Sequence, residues 1–420
     1  MTTTATRPAE IRRELRRIAV PIIGSSLVAI FVSTNDALLL AGVSARTLAS
    51  VVASSTVLFV VTMLVSGVGL PAQVLAGRAL GRGDPRRAGA AAEAALSLGL
   101  WVAVPLGVVV ALAAHPLLAA VGGTAIDAGF AASYLRLTVL AVPVTAVAAA
   151  LRGRLAGLGT TRMLLVSALV GAAVDIGASL ALRALIGPLG VGMGTVLGQC
   201  ASAAVLLRAV LRPHDPTAAP DTAAAVPPPS PRCVFSRPGP LHREVLSLGW
   251  PEAVLATASA GAGVVVTFLL STSPPDHLAA SRFLEITTGN VLWTVMMGFG
   301  AAATTLLARA VGAGDRAAFG AVIRQTLTVT LLAAVVGLLV VPFVVPPLIG
   351  VLSTSAIADL ARGVVWLAAA QGLLMAVVVV NNAVLRSLKD TRTPMVASLV
   401  AEYVVFLPSD CCSSDTCRST

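Results

Sequence analysis

The chain is poor in what a water-soluble domain needs. Only 11% of its 420 residues are charged and 4% are aromatic, with two tyrosines and four histidines in the whole length. Soluble domains are about a quarter charged, so a soluble core of this size would lack the polar surface to cover it. Lysine is almost absent, Lys389 standing against 28 arginines. Cysteine is scarce: of Cys200, Cys233, Cys411, Cys412 and Cys417, three fall in the last ten residues and none is spaced with histidine as metal ligands are. Neither a disulfide framework nor a metal site is expected. No phosphate-binding G-x-x-x-x-G-K-[ST] loop occurs, which disfavours an ATP-driven pump. The N-terminus, MTTTATRPAEIRRELRR, has no short apolar stretch ending in a small-residue cleavage site, so the first apolar run reads as a retained helix.

What is present is apolar sequence in long runs. Hydrophobic residues make up 57% of the chain, its mean hydropathy is +0.92, and about 20 such residues span a bilayer as a helix. The expected fold is an all-α polytopic membrane protein. Runs bounded by Arg, Gly and Pro predict helices near 18–41, 49–76, 89–113, 130–151, 163–183 and 188–208. A second series falls near 244–270, 281–308, 320–349, 357–385 and 393–407. Between them lies RPHDPTAAPDTAAAVPPPSPRCVFSRPGP, too polar for lipid and rich in proline and alanine, a flexible linker by composition. The expected organisation is a tail at 1–17, an N-terminal six-helix lobe at 18–208, a linker at 209–243, an incomplete C-terminal lobe at 244–408 and a polar tail at 409–420. The segment after Arg392 is shorter than its counterpart after Arg162. The last helix or two of a twelve-helix plan are therefore expected to be missing, and Glu402 is left without a role.

The net charge of +10 would suit nucleic acid, but its placement explains it better. The N-terminal tail and every second loop hold most of the basic residues, whereas the opposite side holds only Arg46, Arg136, Arg183, Arg282 and Arg362. Basic loops stay in the cytoplasm. A multi-pass protein of a bacterial plasma membrane with a cytoplasmic N-terminus is expected, and no nucleic-acid partner.

One motif recurs. GRALGRGDPRRAG at 77–89 returns 231 positions later as ARAVGAGDRAAFG, carrying Arg78, Gly81, Gly83 and Asp84 onto Arg309, Gly312, Gly314 and Asp315. RELRRIAVP (13–21) likewise matches REVLSLGWP (243–251), and TTRMLLVSALV (160–170) matches DTRTPMVASLV (390–400). Six spans separate the two copies, an even number, so the halves are parallel repeats facing a shared cavity, a plan suited to alternating access. Locally, Arg complements the end of a helix, Gly permits a left-handed stop and Asp caps the next helix. The motif therefore reads as a structural elbow.

Several stretches together carry a resemblance: FVSTNDALLLAG in the first helix, the G-x-G-D elbow in both halves, GLGTTR and SLKDTRTPM in equivalent loops, and GPLGVGMGTVLGQ opening the sixth helix. The chain resembles the MATE (multidrug and toxic compound extrusion) transporters over residues 12–408, and is most similar to their DinF-like branch. The resemblance implies twelve helices in two lobes that export cationic or amphipathic compounds in exchange for H⁺ or Na⁺. It implies no other cofactor, and the protein is expected to be a transporter rather than an enzyme, acting as a monomer. Asp36 matches the branch's first-helix Asp. In the fifth helix the family often has Asn with Asp four residues on, and these positions correspond here to Asp175 and Ser179, so the acidic residue is displaced by one turn. Gln199 corresponds to a polar position of the N-terminal lobe.

The residues themselves support ion coupling through Asp36 and Asp175. A mid-bilayer carboxylate is costly and usually faces a cavity or a partner, and burial lets a carboxyl take up and release a proton near neutrality. Asp36 follows Ser33, Thr34 and Asn35; its alternative is a helix-end Asp facing water, since Gly42 and Arg46 follow. For Asp175 the alternative is a structural hydrogen bond. Asn35, Ser179, Gln199, Glu285 and Asn290 are candidate cavity residues, although Glu285 also suits a surface pair with Arg282. Pro21, Pro143 and Pro251 are expected to interrupt helices by kinking them, and Gly190, Gly194 and Gly198 to allow close packing. Rival readings are a lipid-linked precursor flippase of the same superfamily, a major facilitator-type transporter, and an intramembrane aspartyl protease of G-x-G-D type. The protease requires a Tyr-Asp that this chain lacks.

Overall fold

The computed structural model describes residues 8–40, 43–122, 126–211, 226–230, 238–271, 291–352 and 355–406. Among them every regular element is helical: α1 (Pro8–Leu40), α2 (Ala45–Ser66), α3 (Gly69–Gly81), α4 (Pro85–Gly122), α5 (Ala128–Thr138), α6 (Ala141–Gly157), α7 (Arg162–Ile186), α8 (Pro188–Leu211), α9 (Pro240–Ser271), α10 (Val291–Ala313), α11 (Arg316–Leu352), α12 (Ser355–Ser387) and α13 (Arg392–Leu399), the last continued by a π-helical turn at Val400–Phe406. Nine stretches among the described residues are long and apolar enough to cross a bilayer. Their outer faces carry leucine and phenylalanine in the open, such as Leu112 (75% exposed), Leu185 (78%) and Phe343 (67%). That is the inverse of a soluble surface and suits lipid.

Two of the expected spans are each two helices. The run at 49–76 breaks between α2 and α3, and the run at 130–151 between α5 and α6. Both breaks fall four residues before a proline, at Gly67 before Pro71 and at Val139 before Pro143. Proline has no N–H to give the carbonyl one turn back, and its ring crowds that carbonyl. Pro21 and Pro251 lie inside α1 and α9, which run on through them.

Both elbows are built alike. Gly83 (φ +74°) and Gly314 (φ +72°) take the left-handed conformation that glycine adopts without a Cβ clash. Asp84 Oδ1 then accepts the N–H of Arg87 at 2.9 Å and Asp315 Oδ1 that of Ala318 at 2.9 Å, capping α4 and α11. A second pair of turns repeats the geometry at Gly159 (φ +69°) and Lys389 (φ +69°). There Asp390 accepts the N–H and the hydroxyl of Thr393 at 3.0 and 2.7 Å. Those bonds hold its carboxyl below the ordinary range. Lys389 bears a side chain where its counterpart has none, and a left-handed residue costs about 1–2 kcal/mol. Lys389→Gly is therefore expected to raise the stability of the folded protein by about 1 kcal/mol, read as a higher thermal midpoint in detergent. A lower midpoint would mean that the lysine's own contacts outweigh the backbone strain.

The chain packs as two compact units, Gly24–Thr257 and the combination of Met1–Ile23 with Ala258–Thr420. This division does not follow the sequence repeat. It cuts α1 two residues after Pro21 and α9 six residues after Pro251. In the first unit Val61, Val65, Ala103, Leu118, Leu135 and Val142 join α2, α4, α5 and α6 in one core. In the second, Ile11, Leu15 and Ile18 of α1 pack with Ala302, Leu306 and Leu307 of α10.

The described part of the proline-rich connector is seated on α4. Val226 and Pro229 are buried while Pro227, Pro228 and Ser230 are exposed. Arg154, only 2% exposed, donates to Pro227 O at 2.7 Å, and Ser230 N–H donates to Glu93 Oε1 at 2.6 Å. Further on, His242 stacks on Trp101 with centroids 5.2 Å apart. Its Nδ1 accepts from Gly239 N–H at 3.2 Å, so Nε2 carries the proton to Ser97 Oγ at 2.9 Å. Gly89, Glu93, Ser97 and Trp101 recur every four residues, so one stripe of α4 receives Pro227, Ser230 and His242.

Candidate functional site

The site begins with how closely α7 and α8 lie. Gly171, Asp175 and Ser179 occupy one buried stripe of α7, and Gly190, Gly194 and Gly198 the facing stripe of α8. A Cβ on Gly198 would lie 2.6 Å from the Asp175 Cβ and 2.8 Å from Gly171 O, and one on Gly194 would run into the Ser179 hydroxyl. The glycines leave the α8 backbone bare, so two polar side chains can lie against it inside an apolar hairpin. Asp175 is 4% exposed and Ser179 fully buried. Ser179 Oγ donates to Asp175 Oδ1 at 3.1 Å and stands 3.3 Å from Val191 O.

The second half of α1 adds the second carboxyl. Ser33 and Thr34 spend their hydroxyls on Ile30 O at 3.1 and 3.0 Å, which leaves Asn35 and Asp36 as the groups of this cluster free to act. Both are half-buried. Asp36 Oδ2 accepts from Thr195 Oγ1 of α8 at 3.4 Å, and the same hydroxyl lies 3.2 Å from Val191 O. Asn35 Nδ2 and Asp36 Oδ1 are buried atoms without a hydrogen-bond partner among the described residues. A buried carboxylate oxygen with no donor in an apolar setting costs free energy unless a proton or a cation joins it.

The hydroxyls connect the two acids. Each has one hydrogen, so Thr195 donates either to Asp36 or to the Val191 carbonyl, and Ser179 either to Asp175 or to that same carbonyl. Asp36 and Asp175 are electrostatically coupled. Coupled carboxyl groups share a proton or cation more readily than both stay ionised. Tyr134, 5% exposed, packs with Leu39, Leu40 and Val191 beside them and is coupled to both acids. The donors are all oxygen, and no group of three His, Cys, Asp or Glu side chains able to hold a metal lies among the described residues.

Of the residues singled out in the sequence, Asn35, Asp36, Asp175 and Ser179 therefore come together. Gln199 sits one turn beyond Thr195 on α8, half-buried. Glu285 and Asn290 lie outside the described residues. The elbow residues lie at helix ends, where α3 meets α4 and where α10 meets α11. Thr195, Val191 and Tyr134 were not legible beforehand: a lone threonine in an apolar helix usually bonds its own backbone, and a carbonyl has no sequence signature.

The sequence pattern of the MatE family matches residues 21–182 and 255–410. The chain belongs to the MatE family. Members of this family are transporters rather than enzymes, and the chain is a multi-pass membrane protein of that kind. It is 30% identical over 417 residues to a protein of Deinococcus radiodurans described as a probable multidrug resistance protein NorM, covering 96% of this chain and 88% of that one. A Rhizobium meliloti protein of the same description is 25% identical over 410 residues, covering 95% and 85%. The fold is that of solved MATE transporters. One in a straight conformation superposes with a TM-score of 0.80 at 15% identity, covering 96% of this chain and 89% of the other. A MOP superfamily transporter from Pyrococcus furiosus gives 0.78 at 15% identity, with the same coverage.

Proposed function

We propose that this MatE protein is a multidrug efflux antiporter, exporting cationic or amphipathic compounds in exchange for H⁺ by alternating access. Asp36 and Asp175 carry the coupling ion. The substrate class follows the family and the NorM-type relatives. The observation that carries the coupling is the pair of acids within apolar helices, one with a buried and unpartnered oxygen, bridged through Thr195, Val191 and Ser179. A single proton on Asp36 or Asp175 satisfies the unpartnered oxygen by itself, whereas a metal cation requires several oxygens to converge on it. This favours a proton over sodium.

Protonation drives transport only by binding the two conformations unequally. In the proposed cycle, neutralising Asp36 and Asp175 releases the hydroxyls to Val191 O, and ionising them draws the hydroxyls back to the carboxylates. The same groups then sit either without charge or with a negative charge that a cationic substrate can offset. The test is uptake of ethidium into everted vesicles under separately imposed gradients. An acidic vesicle interior is expected to drive uptake with no sodium present. Uptake driven by sodium alone would overturn the proton assignment, and uptake driven by neither gradient would overturn the antiport.

A further inference from the structure

The repeated elbows hold more than helix ends. Glu14 and Glu244 occupy equivalent places in the two halves, each following an arginine in RELRRIAVP and REVLSLGWP, as Arg78 and Arg309 do in the elbows. Arg309 Nη1 meets Glu14 Oε1 at 3.2 Å, inside the unit that combines Met1–Ile23 with Ala258–Thr420. Glu244 is electrostatically coupled to Arg78 and lies 3.8 Å from Arg87 Nη2, inside the unit Gly24–Thr257. Each elbow arginine therefore faces the glutamate of the opposite repeat.

The apolar residues beneath these charges follow the same exchange. Leu15 (fully buried) and Ile18 (1% exposed) of α1 pack on the second repeat's α10. Their equivalents Val245 (fully buried) and Leu248 (4%) are likewise buried in α9, where Ala253 lies against Gly67 and Gly249 against Pro71 of the first repeat. The first half of each repeat's opening helix is thus anchored in the other repeat, and its second half in its own. Pro21 and Pro251 stand shortly before the two changeovers and withhold a backbone hydrogen bond there, so each helix is easiest to bend where its loyalty changes.

We propose that Arg309–Glu14 and Arg78–Glu244, the latter supported by Arg87, are a matched pair of crossed latches. They hold the first halves of α1 and α9 on the opposite repeat, and they let go when the transporter changes conformation. The charges suit release as well as holding. Side chains of Glu14 and Arg87 are about half exposed, at 46% and 50%, so water replaces the lost partner when a latch opens. Arg17 adds a like charge beside Arg309, which makes Glu14 the group that keeps that corner closed.

The release step rests on the transport reading above; the crossed pairing does not. Hydrogen–deuterium exchange of the purified full chain tests the pairing. Arg309→Glu is expected to speed exchange of residues 11–19 of α1 roughly tenfold and to spare residues 241–249 of α9. Arg78→Glu is expected to do the reverse. The double exchange Glu14→Arg with Arg309→Glu should return residues 11–19 to the wild-type rate. Unchanged exchange in both single variants, loosening of the mutated repeat's own helix, or failure of the double exchange to restore protection would each overturn the crossing. Release is tested by bridging Glu14→Cys and Arg309→Cys with a cleavable bifunctional thiol reagent. Ethidium transport should stop when the bridge forms and return on reduction. Transport that continues through the bridge overturns the latch as a moving part. Absence of transport in wild-type vesicles instead counts against the antiport reading and leaves the exchange experiment to decide the pairing.

Discussion

Asp36→Asn yields a folded protein that no longer moves ethidium in response to an ion gradient. Asparagine has the shape of aspartate, and its amide oxygen still accepts the Thr195 hydroxyl that now lies 3.4 Å from Asp36 Oδ2. The substitution removes a half-buried acid from an apolar surrounding, which does not destabilise the helix around it. What it removes is the ability to gain and lose charge. Uptake into everted vesicles is expected to fall to the level of vesicles without the protein, while the thermal midpoint stays within a few degrees of wild type. Thr195→Val should be milder. It deletes one hydrogen bond worth about 0.5–1.5 kcal/mol, slowing transport severalfold without ending it. Gradient-driven uptake at the wild-type rate in a folded Asp36→Asn protein would place the titrating group elsewhere.

Gly198→Val is expected to cost both stability and transport. The first added atom would stand 2.6 Å from the Asp175 Cβ and 2.8 Å from Gly171 O. One of these is backbone and the other the root of a side chain, so neither can swing away. Overpacking of this kind costs about 1–3 kcal/mol, occasionally more, and here the relief is to part α7 from α8. That displaces Asp175 and Ser179 from Val191 O and Thr195. A clear drop in thermal midpoint and loss of uptake should appear together. Gly177→Ala is the control on the same hairpin: a Cβ there meets nothing within 4 Å, and stability should be unchanged or slightly raised. If Gly198→Val behaved like Gly177→Ala, the close seam would not be what seats the acids.

Much of this arrangement could be read along the chain because lipid makes polar residues conspicuous. An aspartate in FVSTNDALLLAG or LVGAAVDIGASLAL stands out where nearly every neighbour is apolar, and a glycine every fourth residue signals a seam. The helix break at Gly67 escaped because hydropathy measures transfer into lipid and ignores which carbonyl loses its donor, whereas the one at Val139 lies one turn before Pro143, where an interruption was expected. Pro71 held that information, but a proline in an apolar run reads as an interruption without a place. Thr195 escaped for a related reason: nothing in its local sequence tells a threonine bonded to its own helix from one that also reaches a carboxylate on another.

Composition, charge placement and an ancient duplication determined that the chain is helical, spans a membrane many times and carries two equivalent elbows. Those properties depend on local transfer energies and local backbone conformations, which residues specify one stretch at a time. The tertiary structure alone decided that Asp36 and Asp175 share a carbonyl through two hydroxyls, that part of the proline-rich connector lies along α4, and that each repeat's first helix begins in the other's core. These depend on which faces meet across hundreds of residues. Equivalent repeats offer nearly equivalent faces, so packing rather than chain order chooses the partner.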